Sequence, residues 1–190
     1  MDKKDEIRAY TAVAAAIFLF AFLSGYFGAL GSPERSRMVV ESFFDNLDFV
    51  RNLSPFSVFV FIFLNNALKA AFVILFGFFF AIVPLVFIYT NGEIIGLVVG
   101  VFQQENSLLM IILGLLPHGI LEVPAVVMAT GYGIWLGARF YARIRNKEPF
   151  REYFYFALGV FFRIILPMLL LAAIIESFIT PFILNRLFVR

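Results

Sequence analysis

Apolar residues run through this chain in long stretches, and the polar positions between them are few and clustered. Residues 7–30 form the first stretch, long enough to cross a bilayer at about 20 residues per crossing. Residues 32–52 are the most polar. Ser32 followed by Pro33 reads as a helix cap with a first-turn proline. Val39, Phe43, Leu47 and Val50 then recur at helical spacing, with Glu34, Arg37, Glu41, Asp45 and Asp48 between them. That pattern predicts an amphipathic helix over 33–52, either lying at the membrane interface or packed over the other helices. Residues 55–89 are apolar except for Asn65, Asn66 and Lys69. A straight helix of that length would measure about 52 Å at 1.5 Å per residue. The hydrocarbon core is only about 30 Å thick, so the run must tilt, kink or break, and Gly77 and Pro84 are its natural break points.

Further on, Asn91-Gly92 reads as a turn. Two short apolar pieces follow, 94–102 and 108–116, separated by a polar tip of Gln103, Gln104, Glu105, Asn106 and Ser107. The second piece ends at Pro117-His118-Gly119. Short segments beside Gly and Pro predict helices broken near 84–92 and 103–118. Residues 123–141 and 153–179 are long again. The predicted fold is all-α: a polytopic transmembrane bundle of about five spans in a single domain covering 1–190. The spans are 7–30, 55–82, 84–103, 107–141 and 153–180, with the amphipathic helix at 33–52. A re-entrant hairpin over 84–117 is the competing topology. Small residues at 14–16 and at Gly25 and Gly28 offer faces for close helix contact.

Composition agrees. The chain is 62% hydrophobic and 15% charged, with 27 Phe and a mean hydropathy of +0.95. Soluble domains run nearer a quarter charged. The lipid bilayer is therefore the expected environment. A net charge of +2 gives no footprint for nucleic acid. Arg139, Arg143, Arg145, Lys147 and Arg151 predict one basic loop, and Lys3, Lys4 and Arg8 lie near the N-terminus. The positive-inside rule puts both in the cytoplasm of a multi-pass cell-membrane protein, and five crossings then put the C-terminus outside. The first apolar stretch exceeds the 7–15 residues of a cleavable leader, so it reads as an anchor. No cysteine is present, which excludes disulfides and thiolate metal sites.

Polar groups at membrane depth are costly, and each is a functional candidate. His118 and Glu122 are four residues apart and share one helical face. Together they can bind a metal such as zinc, hold a proton, or tie helices together by hydrogen bonds. One His and one Glu are too few ligands for a closed site, and a two-fold dimer would double them. Asn65, Asn66 and Lys69 lie near one face. Lys69 is deep enough to need a partner, with Glu122 or Glu93 available. Asn91, Glu93 and Arg163 complete the expected buried network. Glu176 is expected near the outer interface, without a role. No Gly-x-Ser-x-Gly, His-Glu-x-x-His or phosphate-loop pattern occurs, so no enzymatic activity is expected.

Asn65-Asn66, Asn91-Gly92 with Gly96, and above all Pro117-His118-Gly119-Ile120-Leu121-Glu122 resemble the stage II sporulation protein M family. The resemblance covers residues 7 to about 179. This integral-membrane family occurs in bacteria and archaea. Its sporulation member is a five-span scaffold that recruits peptidoglycan-degrading proteins. The resemblance carries the motif to His118, Gly119 and Glu122 and implies no catalytic role for them. The expected function is a non-enzymatic membrane scaffold or assembly protein, a homodimer with other membrane or envelope proteins as partners. The alternative is a small transporter or channel with its site at the broken helices.

Overall fold

The computed structural model describes residues 2–46, 48–79, 81–105, 107–147 and 149–188. Leu47 of the predicted amphipathic face and Asn106 of the predicted polar tip lie outside the described residues, as does the Glu105 side chain. Helix α1 covers Lys3–Gly31, α2 covers Pro33–Asp45, α3 covers Pro55–Leu75, α4 covers Ile82–Glu105 and α5 covers Leu108–Asn146. A final helical rod holds α6 (Arg151–Val160), α7 (Leu166–Ile174) and α8 (Thr180–Phe188). Two wider π-helical turns, Phe161–Ile165 and Ile175–Ile179, join its three parts. No strand occurs among the described residues. Five helices are long and apolar enough to cross a membrane: Lys3–Gly31, Pro55–Phe78, Ile82–Gln104, Leu108–Asn146 and Arg151–Leu187.

Two of the expected breaks form and one does not. The run from residue 55 does end at Gly77, in a tight 3₁₀ turn over Phe76–Phe78, with Ala81 in the left-handed region. Pro84, in contrast, breaks nothing. It is the third residue of α4, where a backbone N–H has no intrahelical partner to lose. Helix α4 then continues through 84–92. Asn91 turns its side chain back onto the Phe87 carbonyl at 2.7 Å, and Gly92 is helical rather than a turn. Helix α4 ends at Glu105, and α5 starts at Leu108, where Ser107 caps it by accepting from the Met110 N–H at 3.3 Å. Helix α5 runs on past Pro117 and Pro124 without ending. Pro117 is therefore inside a helix, not at its first turn. Each of these prolines removes one ladder bond, which neighbouring helices can tolerate at membrane depth. Both α4 and α5 are continuous, so the re-entrant hairpin over 84–117 is not formed.

Glycines on α4 explain how the bundle closes. A Cβ on Gly92 would sit 2.6 Å from the Phe18 carbonyl oxygen of α1, and one on Gly96 would overlap that of Phe22. One on Gly25 of α1 would overlap the Glu93 carbonyl oxygen in return. Helices α1 and α4 thus lie backbone against backbone, the small-residue packing that lipid favours. Gly28 faces open space instead, so only Gly25 of the expected pair makes the contact. A second close approach sets Gly77 against Gly133 and Gly137 of α5. Helix α5 is central: Trp135 is completely buried and packs with Ile74, Leu136, Ile165 and Leu169 from three spans.

Helix α2 packs over the bundle, but not on its expected face. Ser36 and Val40 are buried, the latter against Ala29 and Val101. Val39 and Phe43 point outward, 51% and 43% exposed. The helix stops at Asp45 and a short 3₁₀ turn over Asp48–Asn52 follows. The apolar period through 33–52 therefore does not act as one surface.

Candidate functional site

Three spans bring polar side chains to one level. Helix α5 supplies His118 and Glu122, one turn apart. His118 is about 15 Å along from Leu108 at helical rise. Helix α3 supplies Asn66, about 16 Å along from Pro55. The last rod supplies Glu176, about 16 Å back from Leu187. One ligand atom each from His118, Glu122 and Glu176 lies within 4.8 Å of the other two. Asn66 donates from Nδ2 to Glu122 Oε1 at 3.0 Å, and Asn65 donates from Nδ2 to Asn66 Oδ1 at 3.2 Å. The asparagines thus hold the carboxylate in place.

Glu176 reaches this point because its turn is widened. Ring closure in Pro181 clashes with the carbonyl four residues back, at Ser177, and no N–H is there to bond it. The backbone answers with the π-turn Ile175–Ile179, which carries Glu176. Pro167 stands in the same relation to Arg163 and the first π-turn, Phe161–Ile165. Such turns commonly occur at functional positions.

The electrostatics are unbalanced. Glu122 and Glu176 each place a carboxylate oxygen within 4.8 Å of the other's, so the two repel when both are charged. Lys69 itself is exposed. Its expected ion pair with Glu122 or Glu93 is not made among the described residues; Lys69 instead helps line an open groove between α3 and α4 with Phe72, Val83 and Thr90. Among the described residues, the buried Nδ1 of His118 has no hydrogen-bond partner, nor do the hydroxyls of Ser177 and Thr180.

Of the expected network, His118, Glu122, Asn65 and Asn66 therefore come together, with Lys69 at the margin. Three members stand apart. Asn91 bonds locally, Glu93 lies on the α1–α4 seam, and Arg163 is exposed about 20 Å along the rod from Glu176. Glu176 was expected at the outer interface and is instead the third member of the cluster. Its sequence signal was its isolation as the one charged side chain between Arg163 and Arg186.

A second polar centre had no sequence signal. Arg139 does not belong to a basic loop; it lies within α5, which continues to Asn146. Its guanidinium pairs with Glu6 of α1, and the same Glu6 Oε2 accepts from Trp135 Nε1 at 3.0 Å. Lys3 sits 3.6 Å above the Phe156 ring, and Arg139 lies 5.0 Å from the Tyr153 ring centre. This clamp fastens the start of α1 to α5 and α6.

Five apolar spans closed by glycine contacts, with an ionisable cluster at their mid-depth, define a polytopic integral membrane protein. The family model for stage II sporulation protein M matches residues 14–181, and the chain belongs to that family. No curated relative and no solved structure matches the chain.

Proposed function

We propose that the chain is a non-enzymatic scaffold of the cell membrane, its N-terminus cytoplasmic and its C-terminus outside. It presents its apolar exterior to partner helices, a second copy included. The observation that carries this reading is the backbone-level packing of α1 on α4 and of α5 on the α3–α4 link. Alternating access needs elements that rock past one another about a fixed site. Helices seated with glycine against a carbonyl have little room to slide. The outward-facing side chains are large and apolar, among them Phe20 at 66% and Leu68 at 67% exposed. They suit contact with lipid or with other membrane helices. Orientation rests on the basic residues that flank the α5–α6 link.

Reconstitution into liposomes separates this reading from transport. Under proton, sodium or potassium gradients, the protein should leak no more than empty vesicles. Photo-crosslinkers placed at Phe20 and Leu68 in cells should give discrete protein adducts. Gradient-driven flux that Glu122→Gln abolishes would establish the transporter instead.

A further inference from the structure

We propose that His118, Glu122 and Glu176 form a binding site for one divalent transition-metal ion within a single copy of the chain. The dimer that ligand count alone suggested is not required, because the last span supplies the third donor. Donors held 2.0–2.2 Å from a common ion stand about 3–4 Å from each other. The three ligand atoms here already lie within 4.8 Å of one another, so small side-chain rotations close the set. The site stands on two separate spans, α5 and the π-turn at Ile175–Ile179.

The charges also fit. Two carboxylates at membrane depth repel each other and are costly alone, whereas a divalent cation neutralises both. A neutral imidazole then adds a ligand without adding charge. The buried Nδ1 of His118 has no hydrogen-bond partner among the described residues, so no tie engages the imidazole on that side there. Glu122 is oriented by Asn66, itself bonded to Asn65, the kind of outer support that ligating carboxylates receive. One nitrogen and two carboxylate ligands suit zinc, cobalt, iron(II) or manganese, and do not suit copper(I). Three protein ligands leave at least one position for water.

The test uses purified full-length protein in detergent, stripped with a chelator and refilled with zinc or cobalt(II). Wild type should bind one ion per chain, in the monomeric fraction as well as in any dimer, and cobalt should give a visible ligand-field spectrum. Glu176→Gln and His118→Gln should each weaken binding at least 100-fold, and Asn66→Ala about tenfold. If Glu176→Gln fails to fold, Glu176→Asp keeps the donor and should still shift the cobalt spectrum. Three results overturn the proposal: folded wild type that takes up no ion, Glu176→Gln that binds like wild type, or half an ion per chain that is lost on dissociation to monomers. None of these readouts depends on whether the protein acts as a scaffold.

Discussion

Gly96→Ala should lower the thermal midpoint of the detergent-solubilised protein by roughly 6–12 °C. The added methyl would overlap the Phe22 backbone, and backbone, unlike a side-chain tip, cannot swing aside. Overpacking of this kind costs about 3 kcal/mol at the upper end of its usual range. Each kcal/mol moves the midpoint of a chain this size by about 2–4 °C. Gly77→Ala should behave alike, since its methyl would meet the Gly133 carbonyl. Gly28→Ala and Gly159→Ala are the controls. Nothing lies within 4 Å of either new methyl, and Ala is the better helix former by about 1 kcal/mol. Thermal unfolding followed by circular dichroism ranks the four. If Gly96→Ala matches Gly28→Ala, the α1–α4 seam is not a backbone contact.

Arg139→Ala should destabilise the protein by about 3 kcal/mol. It leaves Glu6 with Trp135 as its remaining hydrogen-bond donor, in a place where the Glu6 side chain is only 14% exposed. Breaking a buried ion pair on one side costs about 3–5 kcal/mol, and the low end applies because both groups keep some contact with water. Replacing both, as Glu6→Leu with Arg139→Leu, should recover much of the loss, since Glu6 is then no longer a buried charge without its partner. A double-mutant cycle by denaturant unfolding measures this directly. A pair energy near zero would mean that the Glu6–Arg139 pair does not fasten α1 to α5.

Hydrophobic run length marked out all five long apolar helices, because a bilayer admits few alternatives to helices of that length. Breaks were harder. Pro84 and Gly92 look like punctuation, yet a proline near a helix start costs nothing there, and a glycine in lipid can serve contact rather than turning. The informative signal was periodic: Gly92, Gly96 and Gly100 recur every four residues, as do Ala125, Ala129, Gly133 and Gly137. Such stripes announce close helix packing.

The site was half legible. His118 and Glu122 share a face by spacing alone, so one turn of α5 could be placed without a structure. Glu176 could not, because its approach depends on a π-turn and on how the last rod docks. Glu6 with Arg139 was beyond reach, since 133 positions separate them and neither lies in a motif.

Helix α5 and the last span meet at His118, Glu122 and Glu176. The chain contains no cysteine, so introduced thiols are unique reporters. In membranes, Glu122→Cys with Glu176→Cys should be joined within one chain by a short bifunctional thiol reagent, seen as one linked peptide pair by mass spectrometry. His118→Cys with Arg163→Cys should not, because Arg163 lies about 20 Å along the rod from Glu176. Equal linking in both pairs, or links only between chains, would contradict the account.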